Sequence, residues 1–342
     1  MQFELIQDLQ TLDQIRFEWN ESLSNSSARY VPFLKHEFIR TWWKNLGGGE
    51  WKAAKLSTII GRLEEELIGI APFFQTKTKD GKQTLMFIGT KEIADYLDII
   101  VQSKDHQPFV DQLFNYLDSD AAPDWQVMDL FNIAEESPTI EALRLAAQKQ
   151  DWSFSIEKLQ PCPFITLPEE WEDYLAAIDK KQRHEIRRKL RRVENYEKPT
   201  SWYIIERQSE LEAGIEVFFE LMAQDPEKAR FLTDAMQTQL REIIHAAFEG
   251  GWLQLAFLEI DGQKIAGYLN FDHAGHIWVY NSGINYQYGN LSPGWVLLSE
   301  LIRWAIENKR RSFDFMRGDE KYKYKFGGVD RFVMRITIKR EN

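Results

Sequence analysis

Cysteine is nearly absent from this chain: Cys162 is the single one among 342 residues. That excludes an intramolecular disulfide framework and fits a reducing compartment. Long apolar runs are missing too; none approaches the roughly 18 residues that a membrane-spanning helix needs. Positive charge is in deficit, with Lys+Arg 42 against Asp+Glu 53 and a formal net charge of −11. This argues against nonspecific nucleic-acid binding as the main activity. The N-terminus, MQFELIQDLQ, lacks the features of a secretory signal, so cytoplasmic residence is expected. No G-x-S-x-G, P-loop or G-x-G-x-x-G motif occurs, which weakens serine-hydrolase, P-loop and classical dehydrogenase readings. The six histidines, His36, His106, His184, His245, His273 and His276, form no zinc-type pattern with carboxylates or Cys162. No metal site is expected.

What is present is a globular composition with 44% hydrophobic residues, in a chain longer than one core usually serves. Two domains are expected, 1–165 and 166–342. The boundary falls at PCPFITLP, where three prolines lie within eight residues. Both halves read as α+β. In the first, HEFIRTWWKNLG is a helix ending at Gly47–Gly49, and AAKLSTIIGRLEEELIGIAPFFQT reads as two strands joined around Glu64–Glu66. In the second, EWEDYLAAIDKKQRHEIRRKLRRVENY is a helical stretch broken near Asp179, and WLQLAFLEI, KIAGYLNFD and HIWVYNSG are antiparallel strands. LEEELIGIAPF and IDGQKIAGYLNF echo one another, each with a glycine early in the second strand, Gly69 and Gly267.

Three stretches are candidates for chemistry. Ser292, Pro293 and Gly294 open a helix after a strand and a polar loop. Serine suits the N-cap, proline the first helical position, and free amides there suit a phosphate. Lys180–Arg192 holds eight Lys or Arg against one Glu; it reads either as a site for an anionic partner or as a solvated helix face. FDFMRGDEKYKYKFGG, Phe313–Gly328, starts as a strand and then gathers three acids and four basic residues. It reads either as part of a site or as a charged hairpin with exposed ion pairs of little energetic weight.

Taken together, NLSPGWVLLSELIRWAI, FDFMRGDEKYKYKFGG, LMFIGTKEIADYLDII and KKQRHEIRRKLRRVENY resemble the GNAT-type acyltransferases of the BioF2-like group. That group includes CelD proteins associated with cellulose or exopolysaccharide synthesis. The resemblance covers nearly the whole chain. It implies tandem GNAT-like domains, with mixed, mainly antiparallel sheets flanked by helices, related to the Fem-type peptidyltransferases. The implied donor is acetyl-CoA or another acyl-CoA, and the implied acceptor an amine of a small molecule or a saccharide. Ordinary GNAT enzymes hold the CoA pyrophosphate on an R-x-x-G-x-G/A loop. Here the segment runs Gly289, Asn290, Leu291, Ser292, Pro293, Gly294. Gly294 alone matches and the arginine is missing, which leaves aminoacyl-tRNA open as donor. A non-catalytic role in polysaccharide assembly is the competing class.

The resemblance also implies roles. Asp314 or Asp319 acts as base or ligand of the acceptor amine. Tyr280 or Tyr322 protonates the leaving thiolate. Lys323, in the position of the family's functional lysine, stabilises negative charge on the acyl oxygen or a donor phosphate. Asn281, Ser292, Pro293 and Gly294 are placed at the donor. Arg317, Asp95 and Asp98 are placed at the acceptor, with Asp95 and Asp98 either lining a cleft between domains or stabilising a loop.

Overall fold

The computed structural model describes residues 1–51, 53–91 and 93–340. The chain divides into two compact units. The first takes in strands β1 (Gln2–Ile6), β2 (Lys55–Leu56), β3 (Thr58–Leu63), β4 (Glu66–Ala71), β5 (Phe73–Lys77), β6 (Gln83–Phe87), β7 (Ile100–Val101), β8 (Val127–Ala134) and β9 (Ser153–Pro161). Its helices are α1 (Leu9–Gln14), α2 (Arg16–Ser24), α3 (His36–Leu46), α4 (His106–Leu117) and α5 (Pro138–Lys149). α3 stops at Gly47, whose φ of 51° lets its N–H close on the Trp43 carbonyl. The stretch expected as two strands makes four, in two sheets. Ser57 separates β2 from β3 and Pro72 separates β4 from β5.

The second unit, Cys162–Asp330, holds β10 (Phe164–Thr166), β11 (Thr200–Ile204), β12 (Leu253–Ile260), β13 (Gln263–His273), β14 (His276–Ile284) and β15 (Ser312–Asp314). They form one sheet in the order β10-β15-β14-β13-β12-β11. Every neighbouring pair is antiparallel except β14 and β15, which are parallel. Its helices are α6 (Trp171–Ala177), α7 (Lys180–Glu194), α8 (Gln208–Met222), α9 (Pro226–Phe231), α10 (Asp234–Glu249), α11 (Pro293–Glu307) and α12 (Lys321–Lys325). The break expected near Asp179 is present: its carboxylate caps α7, accepting from Lys181 N at 2.9 Å and Gln182 N at 3.3 Å. The sheet carries α8 against β13 and β14 on one face. α11 lies on the other, where Leu297, Leu301, Ile302 and Ala305 are fully buried.

The last strand, β16 (Phe332–Lys339), corrects the expected division at residue 165. It lies beyond the second unit in sequence but pairs antiparallel with β8 and β9 of the first. Its buried residues Val333, Ile336 and Ile338, spaced across a slip in register, complete the core of the sheet β2-β5-β6-β8-β16-β9. Residues 331–340 therefore belong with the first unit, a long-range pairing that no local pattern announces.

The glycine echo has a packing cause. In the first unit Gly61 and Gly69 face each other across β3 and β4. A Cβ on Gly69 would lie 2.6 Å from the Phe109 ring of α4. In the second unit Gly267 and Gly283 face each other across β13 and β14. A Cβ on Gly267 would meet Phe257 at 3.0 Å and Phe218 of α8 at 3.1 Å, while one on Gly283 would lie 2.5 Å from the α8 backbone at Leu221 and Met222. Each glycine pair lets a helix settle onto its sheet. Side chains can give way and a helix backbone cannot. Gly283→Ala should therefore cost about 3 kcal/mol and Gly267→Ala about 1 kcal/mol, an order that urea denaturation of the two variants would read.

Candidate functional site

The site is built on an irregular strand. β14 pairs with β13 along its length, but the register slips between Leu269 and Asn270: Asn270 faces Val279 and Leu269 faces Asn281. Tyr280 is the extra residue of a β-bulge, a device that bends a strand and re-aims its side chains. On its other edge β14 meets β15 only through His276↔Ser312, Ile277↔Phe313 and Trp278↔Asp314. β14 then continues to Ile284 while the chain after Asp314 turns away. The two parallel neighbours open into a wedge whose floor is the free edge of β14.

α11 starts at the mouth of this wedge. Ser292 is its N-cap residue, but in the left-handed region, with φ 55° and ψ 53°, and its side chain makes no capping bond. This corrects the expected serine cap, which requires an extended backbone to bring the hydroxyl over the helix amides. The first amides of α11 are thus left without a side-chain partner, and the positive end of the helix dipole faces the loop. Gly294 is required by packing: a Cβ there would lie 2.5 Å from Ile284 Cδ1. Its carbonyl accepts from the Tyr268 hydroxyl at 3.3 Å. The basic helix α7 is tied to the same loop. Arg192 donates to the Asn290 carbonyl at 2.7 Å, and the Lys189 ammonium stands 3.9 Å over the Trp295 ring. A groove of about 610 Å³ runs between α7, α11 and β11–β12, lined by Arg187, Arg191, Trp202, Glu300 and Arg303 among others.

Phe313–Gly328 is no hairpin. β15 ends at Asp314, a turn follows, and Lys321–Lys325 is the short helix α12. Phe313 and Phe315 are buried, and so is Asp314, fully, with Oδ1 accepting from Met316 N at 2.7 Å. That bond supports Met316 in the left-handed region, at φ 60°. Lys323 is 2% exposed. Its ammonium donates to the carbonyls of Met316 (2.9 Å), Arg317 (2.7 Å) and Gly318 (3.1 Å) and pairs with Glu320 at 2.8 Å. An ammonium has three protons, and three carbonyls and a carboxylate share them. In this geometry Lys323, expected at an acyl oxygen or a phosphate, holds the turn. Asp319 projects from that turn, exposed, and Arg317 is half-buried. Tyr322 packs edge-on against Phe315 at 6.1 Å. Burial pushes its phenol well above the ordinary value, with the Glu320 charge adding to the shift.

The remaining candidates are placed as follows. Tyr280 is half-buried, its ring 5.3 Å from Phe271. Asn281 turns its Oδ1 onto the next main-chain amide, Ser282 N, at 2.8 Å. Asp95 and Asp98 belong to the first unit and are buried. Asp98 accepts from Ser137 Oγ (2.6 Å), Ile99 N (2.8 Å) and the Thr139 hydroxyl. Thr139 in turn accepts from His106 Nε2 at 2.7 Å, since its one proton goes to Asp98. Burial raises the Asp98 carboxyl to about 6 against those three donors. It lowers His106, whose Nδ1 has no partner, to about 4. These bonds stay inside the unit, two of them at the start of α5 and one to the amide that follows Asp98.

One residue escaped the sequence reading. Lys228 of α9 is half-buried and donates to both the carbonyl and the hydroxyl of Ser282, the latter at 3.2 Å. Its helix begins at Asp225-Pro226, an N-cap followed by proline. That signal marks the helix but says nothing of where the lysine reaches. Among the described residues, no group of three His, Cys, Asp or Glu could hold a metal ion, and no helix is long and apolar enough to cross a membrane.

Comparison with known proteins adds a likeness for the second unit. The model of the acetyltransferase (GNAT) domain matches residues 180–324, from the start of α7 into α12. Over the whole chain, the fold is similar to that of FemX, with a TM-score of 0.66 and 12% identity, covering 98% of this chain and 97% of that one. A conserved protein of unknown function from Bacteroides thetaiotaomicron gives a TM-score of 0.58 at 11% identity, covering 99% of each chain. The C-terminal domain of a putative lysylphosphatidylglycerol synthetase from Agrobacterium fabrum gives 0.52 at 11%, covering 94% of this chain and 92% of that one. These likenesses are of fold. No curated protein matches in sequence.

Two outcomes follow from the buried networks. Lys323→Met should leave three turn carbonyls without their donor and cost about 3 kcal/mol in denaturant unfolding, whereas Lys325→Met, on the exposed side of α12, should cost almost nothing. His106 is depressed in the folded state, so the unfolded chain takes up its proton first. The stability it contributes is lost as pH falls from 6.5 through about 4. Asp98, raised to about 6, works in the opposite sense, its burden easing as pH falls. His106→Gln removes only the first effect. Its melting temperature relative to the parent should therefore rise as pH is lowered from 7 to 4.

Proposed function

We propose that the second unit transfers an acyl group from a thioester to an amine, with acetyl-CoA or another acyl-CoA as donor. The observation that carries this reading is the wedge between β14 and β15, which opens beside the uncapped amides of α11. An extended donor arm fits a free strand edge, and its phosphates fit a helix N-terminus. Ser292, Pro293 and Gly294 shape that turn. The arginine missing from the loop has a local substitute in kind: Arg192 and Lys189 of α7 stand against the same segment.

In this mechanism the neutral amine attacks the thioester carbonyl, forming the N–C bond. The C–S bond then breaks and the thiolate leaves. Asp319, exposed on the turn that Lys323 holds, takes the amine proton directly or through water. Asp314, buried and bonded to Met316, positions the turn. Tyr322 is one candidate acid, and burial, by raising its phenol, works against its giving a proton to a thiolate. Tyr280 stands at the bulge as the alternate, and Arg317 is retained as a substrate contact. The acceptor is an amine of a small molecule or a saccharide precursor. The narrower kinship with BioF2-like and CelD proteins rests on the sequence motifs.

A second reading uses aminoacyl-tRNA as donor. It is favoured by the eight cations of Lys180–Arg192, two of which, Arg192 and Lys189, stand against the segment that opens α11, and by the shared fold with FemX. Calorimetric titration with acetyl-CoA separates the two, since micromolar binding supports the thioester donor and its absence favours the tRNA. With a thioester donor, Asp319→Asn should cut the transfer rate by about 10²-fold or more with the melting temperature unchanged. Equal rates would remove Asp319 from the mechanism.

A further inference from the structure

The free edge of β14 is already capped. Asn285 N donates to Ile265 O at 2.8 Å, which fixes the phase of the β13–β14 ladder. With 265 and 285 a hydrogen-bonded pair, Tyr268 and Ser282, which face each other three pairs along, are a non-hydrogen-bonded pair. The N–H and C=O of Ser282 therefore point away from β13, into the wedge that β15 leaves. Both groups are taken by side chains. Asn281 Oδ1 accepts from the N–H at 2.8 Å, and the Lys228 ammonium donates to the C=O and to Ser282 Oγ. One cap comes from β14 itself and the other from a helix more than fifty residues earlier in the chain.

We propose that Lys228 is a latch on the donor cleft: an amide-bearing acyl donor pairs with the Ser282 carbonyl only after the ammonium leaves it, so Lys228 sets donor affinity and choice. This rests on the thioester-donor reading. The arm of coenzyme A carries two secondary amides, and amides add to a free strand edge through main-chain bonds. The acceptor such an arm needs at Ser282 is the one the ammonium holds. The latch has somewhere to go. Desolvation lowers the Lys228 pKa, and the charges that act against that shift are those of Asp225, which caps its own helix, and Glu320, on the turn held by Lys323. Release exchanges a carbonyl and a hydroxyl for a carboxylate. Asn281 can follow by a side-chain rotation, since it is bonded only to its neighbour's amide.

The test uses the full chain and two probes: acetyl-CoA, and S-acetylpantetheine, which keeps the amide arm and has no phosphate. Calorimetry should find S-acetylpantetheine bound about tenfold more tightly by Lys228→Met than by the parent, the equivalent of one charge-assisted hydrogen bond no longer displaced. Lys228→Arg should bind like the parent. Lys228→Gln, which keeps a donor without the charge, should fall between, and it carries the test if the Met variant fails to fold. Acetyl-CoA binding to the parent with no gain for S-acetylpantetheine in the Met or Gln variant overturns the latch alone. No binding of either probe by any form overturns the thioester donor, and the latch with it.

Discussion

A parallel ladder three residues long, between His276–Trp278 and Ser312–Asp314, is the constraint on which the second unit turns. Parallel neighbours normally run together, buried along their length. Here they part because each has a better partner elsewhere. β14 is bent at Tyr280 by its bulge against β13, and Gly267 and Gly283 let α8 settle onto that bent sheet. β15 ends at Asp314, whose carboxylate captures Met316 N and starts a turn. A fully buried lysine then fastens the turn through three carbonyls. The opening is thus held from both sides by interactions that cannot be relaxed piecemeal.

The charges around this opening divide into two kinds. Lys323, Asp314 and, in the first unit, Asp98 are buried and engaged by partners within a few residues or within one core. They fix loops in shapes the backbone would not keep unaided. Asp319 and the arginines of α7 lie toward solvent, most of those arginines already holding an acid or a carbonyl such as that of Asn290. Lys228 stands between the two: it is half-buried, yet its partner is a main-chain group on an edge that a ligand would want.

Much of this was legible along the chain. Asp179 as a helix break, Gly47 as a helix end and Pro293 as a helix start are local choices with one strong physical solution each, and their positions follow from residue type alone. Lys323 shows what composition leaves open. A lysine in a polar, glycine-containing loop has the same composition whether its ammonium faces a substrate or the carbonyls of its own turn. Ser292 was misread because the N-cap preference assumes an extended backbone, and the turn before α11 delivers a left-handed one.

By itself, then, the sequence determined several helix ends, the absence of a disulfide framework, and the two glycine-bearing hairpins, because propensity, capping and side-chain volume act over a few residues. Only the tertiary structure decided that β16 returns to the first unit, that Ser282 presents its main-chain groups to the wedge, and that Lys228 reaches them. Those depend on strand register and on contacts between segments far apart in the chain. A shift of one residue reverses the direction of every main-chain group along an edge, and no local pattern records which direction was taken.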